Sequence, residues 1–265
     1  MRLSVFGCGN MGSAVTKAIR NADNDIEICT YTPSGTKAQK LAKSVKGLQQ
    51  ARVQSMFPCD VILLGMKPQQ FAQFAESVQD SLNENTLVIS LLAGVEIHSI
   101  EQKLKTKRVI RLMPNTPTLV GRGVIPYVSS ANLDRTDKDL LIKWLSDSSK
   151  LIALQSEDQM DRVMAISASG PGLLLEMAEI MYQKLLNDKL SEKDARLIVS
   201  ELFAGTGELM HSEHETFVEL RNRVTSKGGV TEASLNILNA NNQWASLLHQ
   251  AFEANYRRSN ELKNL

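Results

Sequence analysis

Short apolar runs alternate with longer amphipathic stretches over the first half of the chain, whereas the second half carries helical periodicity alone. Short stretches at residues 3–6, 25–31, 61–64, 86–91 and 108–113 read as strands, with that at 61–64 wholly apolar. Residues 124–128 and 151–154 predict two further strands at an edge, separated by a helix over 137–145. Strands that alternate with helical stretches predict a parallel, doubly wound α/β sheet. Beyond Gln155 the strand signals stop. Helices are predicted over 158–168 and 173–187, parted by Ser169-Gly170-Pro171-Gly172, where glycine and proline should break or bend the run. Leu174, Met177, Ile180, Met181 and Leu185 recur at helical spacing, as in a core or dimer interface. Ser191 and Asp194 open another helix through Ala195, Ile198, Val199, Leu202 and Phe203. A last helix over 243–262 places Trp244, Leu247, Leu248, Phe252 and Tyr256 on one face. The pattern divides the chain into an α/β part, 1–155, and an all-helical part, 156–265, too thin to close its own core without exchanging helices with a second subunit.

Candidate chemistry begins at the first strand. Gly7-Cys8-Gly9-Asn10-Met11-Gly12 follows it directly and precedes a helix carrying Ala14, Val15, Ala18 and Ile19. In G-x-G-x-x-G the first glycine makes a tight turn, the second lets a pyrophosphate approach the backbone, and the third allows close helix–strand packing. A glycine-rich turn in another parallel sheet has the same letters; the flanking strands and helix favour a dinucleotide. The second strand ends in Tyr31-Thr32-Pro33-Ser34, then Thr36 and Lys37, without the carboxylate that usually holds an NAD ribose. Hydroxyls at Thr32 and Ser34 and a nearby cation suit the 2′-phosphate of NADPH, with NADH also admissible. Lys37 fits equally as a solvated helix lysine. Met66, Lys67 and Pro68 follow the strand at 61–64, at the carboxyl end that faces the crevice. Lys67 reads as a ribose or substrate contact, or as a loop lysine beside a rigid proline. Asn115 and Thr116, held between Pro114 and Pro117, lie where a nicotinamide would sit, and also form an ordinary turn.

Residues 220–231 are the second candidate. Gly228 and Gly229, flanked by Thr225, Ser226 and Thr231, precede a helix through Ala233, Leu235, Ile237 and Leu238. Free N–H groups at that helix start would suit a small carboxylate, and a capped loop between two helices fits the same residues. Composition narrows the partners. Thirty basic against twenty-nine acidic residues leave a formal charge of +1, with no block of like charge to ask for nucleic acid or an anionic membrane. Cys8, Cys29 and Cys59 are odd in number and unlike metal ligands in spacing, and His98, His211, His214 and His249 do not converge, so no metal is expected. The thiols suit a reducing cytoplasm. The N-terminal apolar run is too short for a secretory signal, and no segment is expected to approach the roughly 20 apolar residues that cross a bilayer.

Together, and in this order, these motifs resemble the pyrroline-5-carboxylate reductase family over essentially the whole chain. They are the glycine turn; residues 60–64 through Lys67-Pro68-Gln69; Val88-Ile89-Ser90 through Ala93-Gly94-Val95; Arg111-Leu112-Met113-Pro114-Asn115-Thr116-Pro117; Ser169-Gly170-Pro171; and residues 220–231. The resemblance implies an NADPH-preferring reductase that passes hydride to the imine carbon of 1-pyrroline-5-carboxylate, giving L-proline in proline biosynthesis. It implies an α/β Rossmann-type doubly wound parallel sheet followed by an all-helical C-terminal dimerisation domain. The dimer would interleave helices, place each site between a cofactor domain and the partner's helical domain, and assemble further, into a decamer. By motif position Thr231 would hydrogen-bond the imine nitrogen and assist its protonation, while Ser226, Gly228 and Gly229, with Val224 beside them, would hold the substrate.

Three positions depart from the family pattern. Lys227 stands where the family has proline, adding a cation near the expected carboxylate. Ala168 and Gly172 alter Ser-Gly-Ser-Gly-Pro-Ala, and Ala168 would crowd the backbone if its φ were positive. Two alternatives follow: a regulatory paralogue that keeps NADPH binding and dimerisation, and a beta-hydroxyacid dehydrogenase. The latter needs a lysine early in the first long helix after its linker, and residues 173–181 contain none.

Overall fold

The computed structural model describes residues 1–212 and 214–263, with side chains through Glu261. They fall into two compact units, one of residues 1–169 with the stretch from 255 onward, the other of residues 170–254.

The first unit is a sheet wound on both sides. Its elements are β1 (Arg2–Phe6), α1 (Asn10–Ala22), β2 (Glu27–Tyr31), α2 (Thr36–Val45), β3 (Leu48–Gln49), β4 (Val61–Leu64), α3 (Phe71–Val78), β5 (Leu87–Ser90), α4 (Ile97–Leu104), β6 (Val109–Leu112), β7 (Gly123–Ser129), α5 (Arg135–Leu145), β8 (Ser149–Ala153) and α6 (Glu157–Ser167). Strand order is β3-β2-β1-β4-β5-β6-β7-β8. Alternate residues of the central strands feed opposite cores: Leu3, Val5, Val61, Leu63, Leu87 and Ile89 face one layer, and Phe6, Ile62, Leu64 and Val88 the other. That is why these strands are mostly apolar.

Three features differ from the sequence expectation. The two-residue β3 was not foreseen, being too short to carry a pattern. β7 is interior, and it runs antiparallel to β6 while pairing in parallel with β8. Too few residues separate β6 from β7 for a crossover helix, whereas α5 provides one between β7 and β8. The break at Ser169-Gly170-Pro171-Gly172 shrinks to Ala168 and Ser169, because the next helix starts at Gly170 with Pro171 in its first turn, where no intrahelical N–H is needed. Ala168 has φ −85°, so it carries none of the crowding that a positive φ would bring.

The second unit contains α7 (Gly170–Asn187), α8 (Glu192–Ser212), α9 (Phe217–Arg223), α10 (Val230–Asn239) and the first part of α11 (Gln243–Lys263). α7 and α8 pack together. Even so, α7 has no buried residue, and α8 buries only Ala195 and Val199 among its described residues. Leu174, Leu175, Ile180, Leu197, Ile198 and Leu202 are exposed. The stretch Glu157–Asn187 contains an 18-residue window of mean hydropathy 1.3, long and apolar enough by composition to cross a bilayer. This corrects the expectation that no segment comes near that content. The cause is α7, which is apolar on several sides rather than along one stripe.

Candidate active site

Strand order reverses between β1 and β4, so the connections from these strands leave in opposite directions and open a crevice at their carboxyl ends. Backbone packing there is tight. Gly7 has φ +93°, and a Cβ on it would stand 2.3 Å from the Met66 nitrogen. A Cβ on Gly12 would stand 2.4 Å from the Gly7 carbonyl oxygen, and one on Gly65 2.6 Å from that same oxygen. Only glycine permits this contact between the turn, α1 and the end of β4. Gly9 differs: a Cβ on it would meet nothing within 4 Å. It is also the N-cap of α1, and no side chain caps that helix, so the N–H groups of Asn10 and Met11 are left to an anion. These residues fit a dinucleotide pyrophosphate.

The end of β2 has matching chemistry. Gly35 caps α2 at φ +72° without a side-chain bond, and the first turn of α2 holds no acidic residue. Ser34, Thr36 and Lys37 are exposed around it. The Thr32 hydroxyl oxygen is buried without a hydrogen-bond partner among the described residues, an orphaned donor beside an uncapped helix. Met66 packs against the second core layer. The N–H of Lys67 donates to the Gln70 side chain at 3.3 Å, Pro68 opens a short 3₁₀ turn, and the Lys67 side chain is exposed.

Asn115 is more deeply engaged than its sequence position suggests. Its Nδ2 donates to the Ser167 carbonyl at 3.1 Å, and its Oδ1 accepts the Val124 N–H at 3.0 Å. The side chain ties the start of β7 to the end of α6. Near it lies a cluster that sequence reading missed. Arg111, fully buried in β6, pairs with Glu157 at 2.7 Å and lies 3.5 Å from the equally buried Asp161. Glu157 also accepts the Ile97 N–H at 3.1 Å, at the start of α4. A charge can stay buried only when paired, so this cluster holds α6 in register with the sheet. The available signal was an arginine inside an apolar strand, with two acids one helical turn apart. From the far end of the chain, Tyr256 donates to Asp158 at 2.8 Å and Asn255 to the Ala165 carbonyl at 3.2 Å, so α6 is held on this side too.

The glycine loop of the second unit is defined by its own hydrogen bonds. Thr225 Oγ1 donates to the Arg221 carbonyl at 2.7 Å, closing the end of α9. Gly228 turns the chain at φ +73°, and its N–H donates to the Glu232 carboxylate at 2.7 Å. The Gly229 N–H donates to the Ser226 carbonyl at 2.9 Å, and a Cβ on Gly229 would lie 2.4 Å from Ser226 Oγ. Both glycine N–H groups expected to hold a carboxylate thus have internal acceptors. α10 starts after Gly229 with no side-chain cap, which leaves the N–H groups of Val230 and Thr231 for an anion. The Thr231 hydroxyl, half-buried, makes no hydrogen bond to another described residue. Val224, Ser226 and Lys227 are exposed.

Comparison with known proteins follows this division. Residues 157–262 match the model for pyrroline-5-carboxylate reductase dimerisation, and residues 2–94 match that for coenzyme F420-dependent NADP oxidoreductases. The chain is 31% identical to the pyrroline-5-carboxylate reductase of Staphylococcus haemolyticus over 99% of its own length and 98% of that protein's. It belongs to the pyrroline-5-carboxylate reductase family. Among solved structures, it resembles the Plasmodium falciparum pyrroline carboxylate reductase with NADP bound, at 26% identity and TM-score 0.86, over 99% of this chain and 98% of the other. The Coxiella burnetii pyrroline-5-carboxylate reductase is similar at 26% identity and TM-score 0.85, over 98% and 97%. The exposed apolar helices α7 and α8 lie inside the dimerisation match, which points to self-association of this reductase.

Proposed function

We propose that this reductase converts 1-pyrroline-5-carboxylate to L-proline at the expense of NADPH. The observation that carries the reading is the likeness to a reductase of that name over 99% of the chain, spanning both the glycine turn and the Thr231 loop. The chemistry a bound NADPH supplies is hydride transfer to the imine carbon. The pyrophosphate is held at Gly7, Gly9, Asn10, Met11 and Gly12, and the 2′-phosphate at Thr32 and Ser34. Met66, Lys67 and Pro68 border the cofactor from the end of β4, and Asn115 shapes the nicotinamide side through the two segments it joins.

In the loop, Ser226 and the α10 start take the substrate carboxylate, Val224 gives an apolar side, and Gly228 and Gly229 provide the turn. Thr231 donates to the imine nitrogen. That nitrogen becomes more basic as its double bond is lost, so the bond strengthens toward the transition state. We assign the cofactor part to residues 1–155 and the substrate and dimerisation part to 156–265, a decamer to the full assembly, and the cytoplasm to its location. Following NADPH oxidation with pyrroline-5-carboxylate tests the reading. Tight NADPH binding without turnover would instead mark a regulatory paralogue. Sedimentation separates dimer from decamer.

A further inference from the structure

The substrate loop holds a carboxylate of its own. Glu232 is the one acidic residue in the first turn of α10, and its side chain folds back to accept the Gly228 N–H at 2.7 Å. In a capping box a glutamate at this position accepts the N–H of the N-cap residue. Here the N-cap is Gly229, whose N–H turns to the Ser226 carbonyl at 2.9 Å. Glu232 therefore reaches one residue further, to the loop tip at φ +73°. A charge-assisted bond from a backbone N–H to a carboxylate is also what an anionic substrate would form at this loop.

We propose that Glu232 sets the affinity and ligand preference of the site, as an internal carboxylate that holds the Gly228 N–H and competes with the carboxylate of the imino acid. The inference rests on the reading of this loop as the imino-acid site. An incoming carboxylate either displaces Glu232 or binds the Val230 and Thr231 N–H groups beside it. Both routes set like charges close together, and a neutral ligand of the same shape escapes that repulsion. Glu232→Gln removes the charge while keeping the length and one acceptor oxygen. Glu232→Ala removes both.

Steady-state kinetics on the full chain test this. In both variants KM for pyrroline-5-carboxylate falls by about threefold to tenfold, with a much smaller change in kcat and none in KM for NADPH. Affinity for L-proline, measured by calorimetry with NADP⁺ present, tightens in parallel, and affinity for prolinamide does not move. Unchanged or raised KM together with unchanged L-proline affinity overturns the proposal, leaving Glu232 as a helix cap that shifts only the melting temperature. The calorimetry reads Glu232 independently of turnover. Absence of turnover in the unaltered chain would count against the functional reading instead.

Discussion

In the sheet unit, Leu3, Val5, Ile62, Leu63 and Leu64 are all at most 0% exposed, while in the helical unit Leu175 is 69% and Ile180 64% exposed. One unit closes its own core and the other leaves its apolar side chains in water. The difference shows where each obtains its stability. The sheet unit buries apolar surface within one chain, so its folding is independent of concentration. The helical unit leaves apolar surface for self-association, so its stability should rise with protomer concentration. Gly7, Gly12 and Gly65 are fixed by neighbours that leave no room for a side chain, whereas Gly170, Gly172, Gly205 and Gly207 of the helical unit meet nothing within 4 Å.

The largest expected effect breaks the sheet side of this comparison. Gly7→Val places a side chain 2.3 Å from the Met66 nitrogen at φ +93°, and should destabilise the unit by ~3–6 kcal/mol in thermal unfolding. Gly9→Val sharpens the contrast, since nothing lies within 4 Å of its Cβ: the fold should persist while NADPH binding, read by fluorescence titration, is lost. Next in size, Thr231→Ala should lower kcat by about a hundredfold, with NADPH affinity unchanged. An unaltered kcat would remove Thr231 from the mechanism.

Ile180→Glu with Leu197→Glu attacks the helical unit alone. Burying either side chain contributes ~1.5–3 kcal/mol, so sedimentation should show dissociation at concentrations where the unaltered chain associates, while NADPH binding persists. Persistent association would place the interface elsewhere. The smallest effect is alkaline. Burial pushes the Cys8 thiol up to about 12 and the Cys59 thiol up to about 11, from an ordinary 9.0. Both stay protonated in the folded chain after the unfolded thiols ionise, so their contribution to stability is complete below 9.0 and is lost as pH rises through the folded values. Denaturant midpoints between neutral and alkaline pH should fall, and less in a Cys8→Ala variant.

Much of the fold was legible because burial on both faces leaves short stretches that are mostly apolar. β1, β4, β5 and β6 could be located that way, and the glycine turn could be placed between β1 and α1. The direction of β7 was not legible, since periodicity is the same for a parallel and an antiparallel strand. Arg111 sits in β6, and no local pattern pointed to Glu157 and Asp161 as its partners. At the site, the turn and loop could be found from spacing, while no local pattern showed that the Asn115 amide joins Val124 to Ser167.

Sequence alone determined the succession of strands and helices, the glycine positions of the crevice, the uncapped helix starts, and the apolar excess of α7 and α8. These are local properties, set by side-chain period and backbone freedom. Only the tertiary structure decided which polar groups were already engaged: the Asn115 amide, the Arg111 charge, and the N–H groups of Gly228 and Gly229. A hydrogen bond or buried ion pair depends on atoms meeting within about 3 Å, often from residues far apart in the chain. Spacing along a single segment does not encode that meeting.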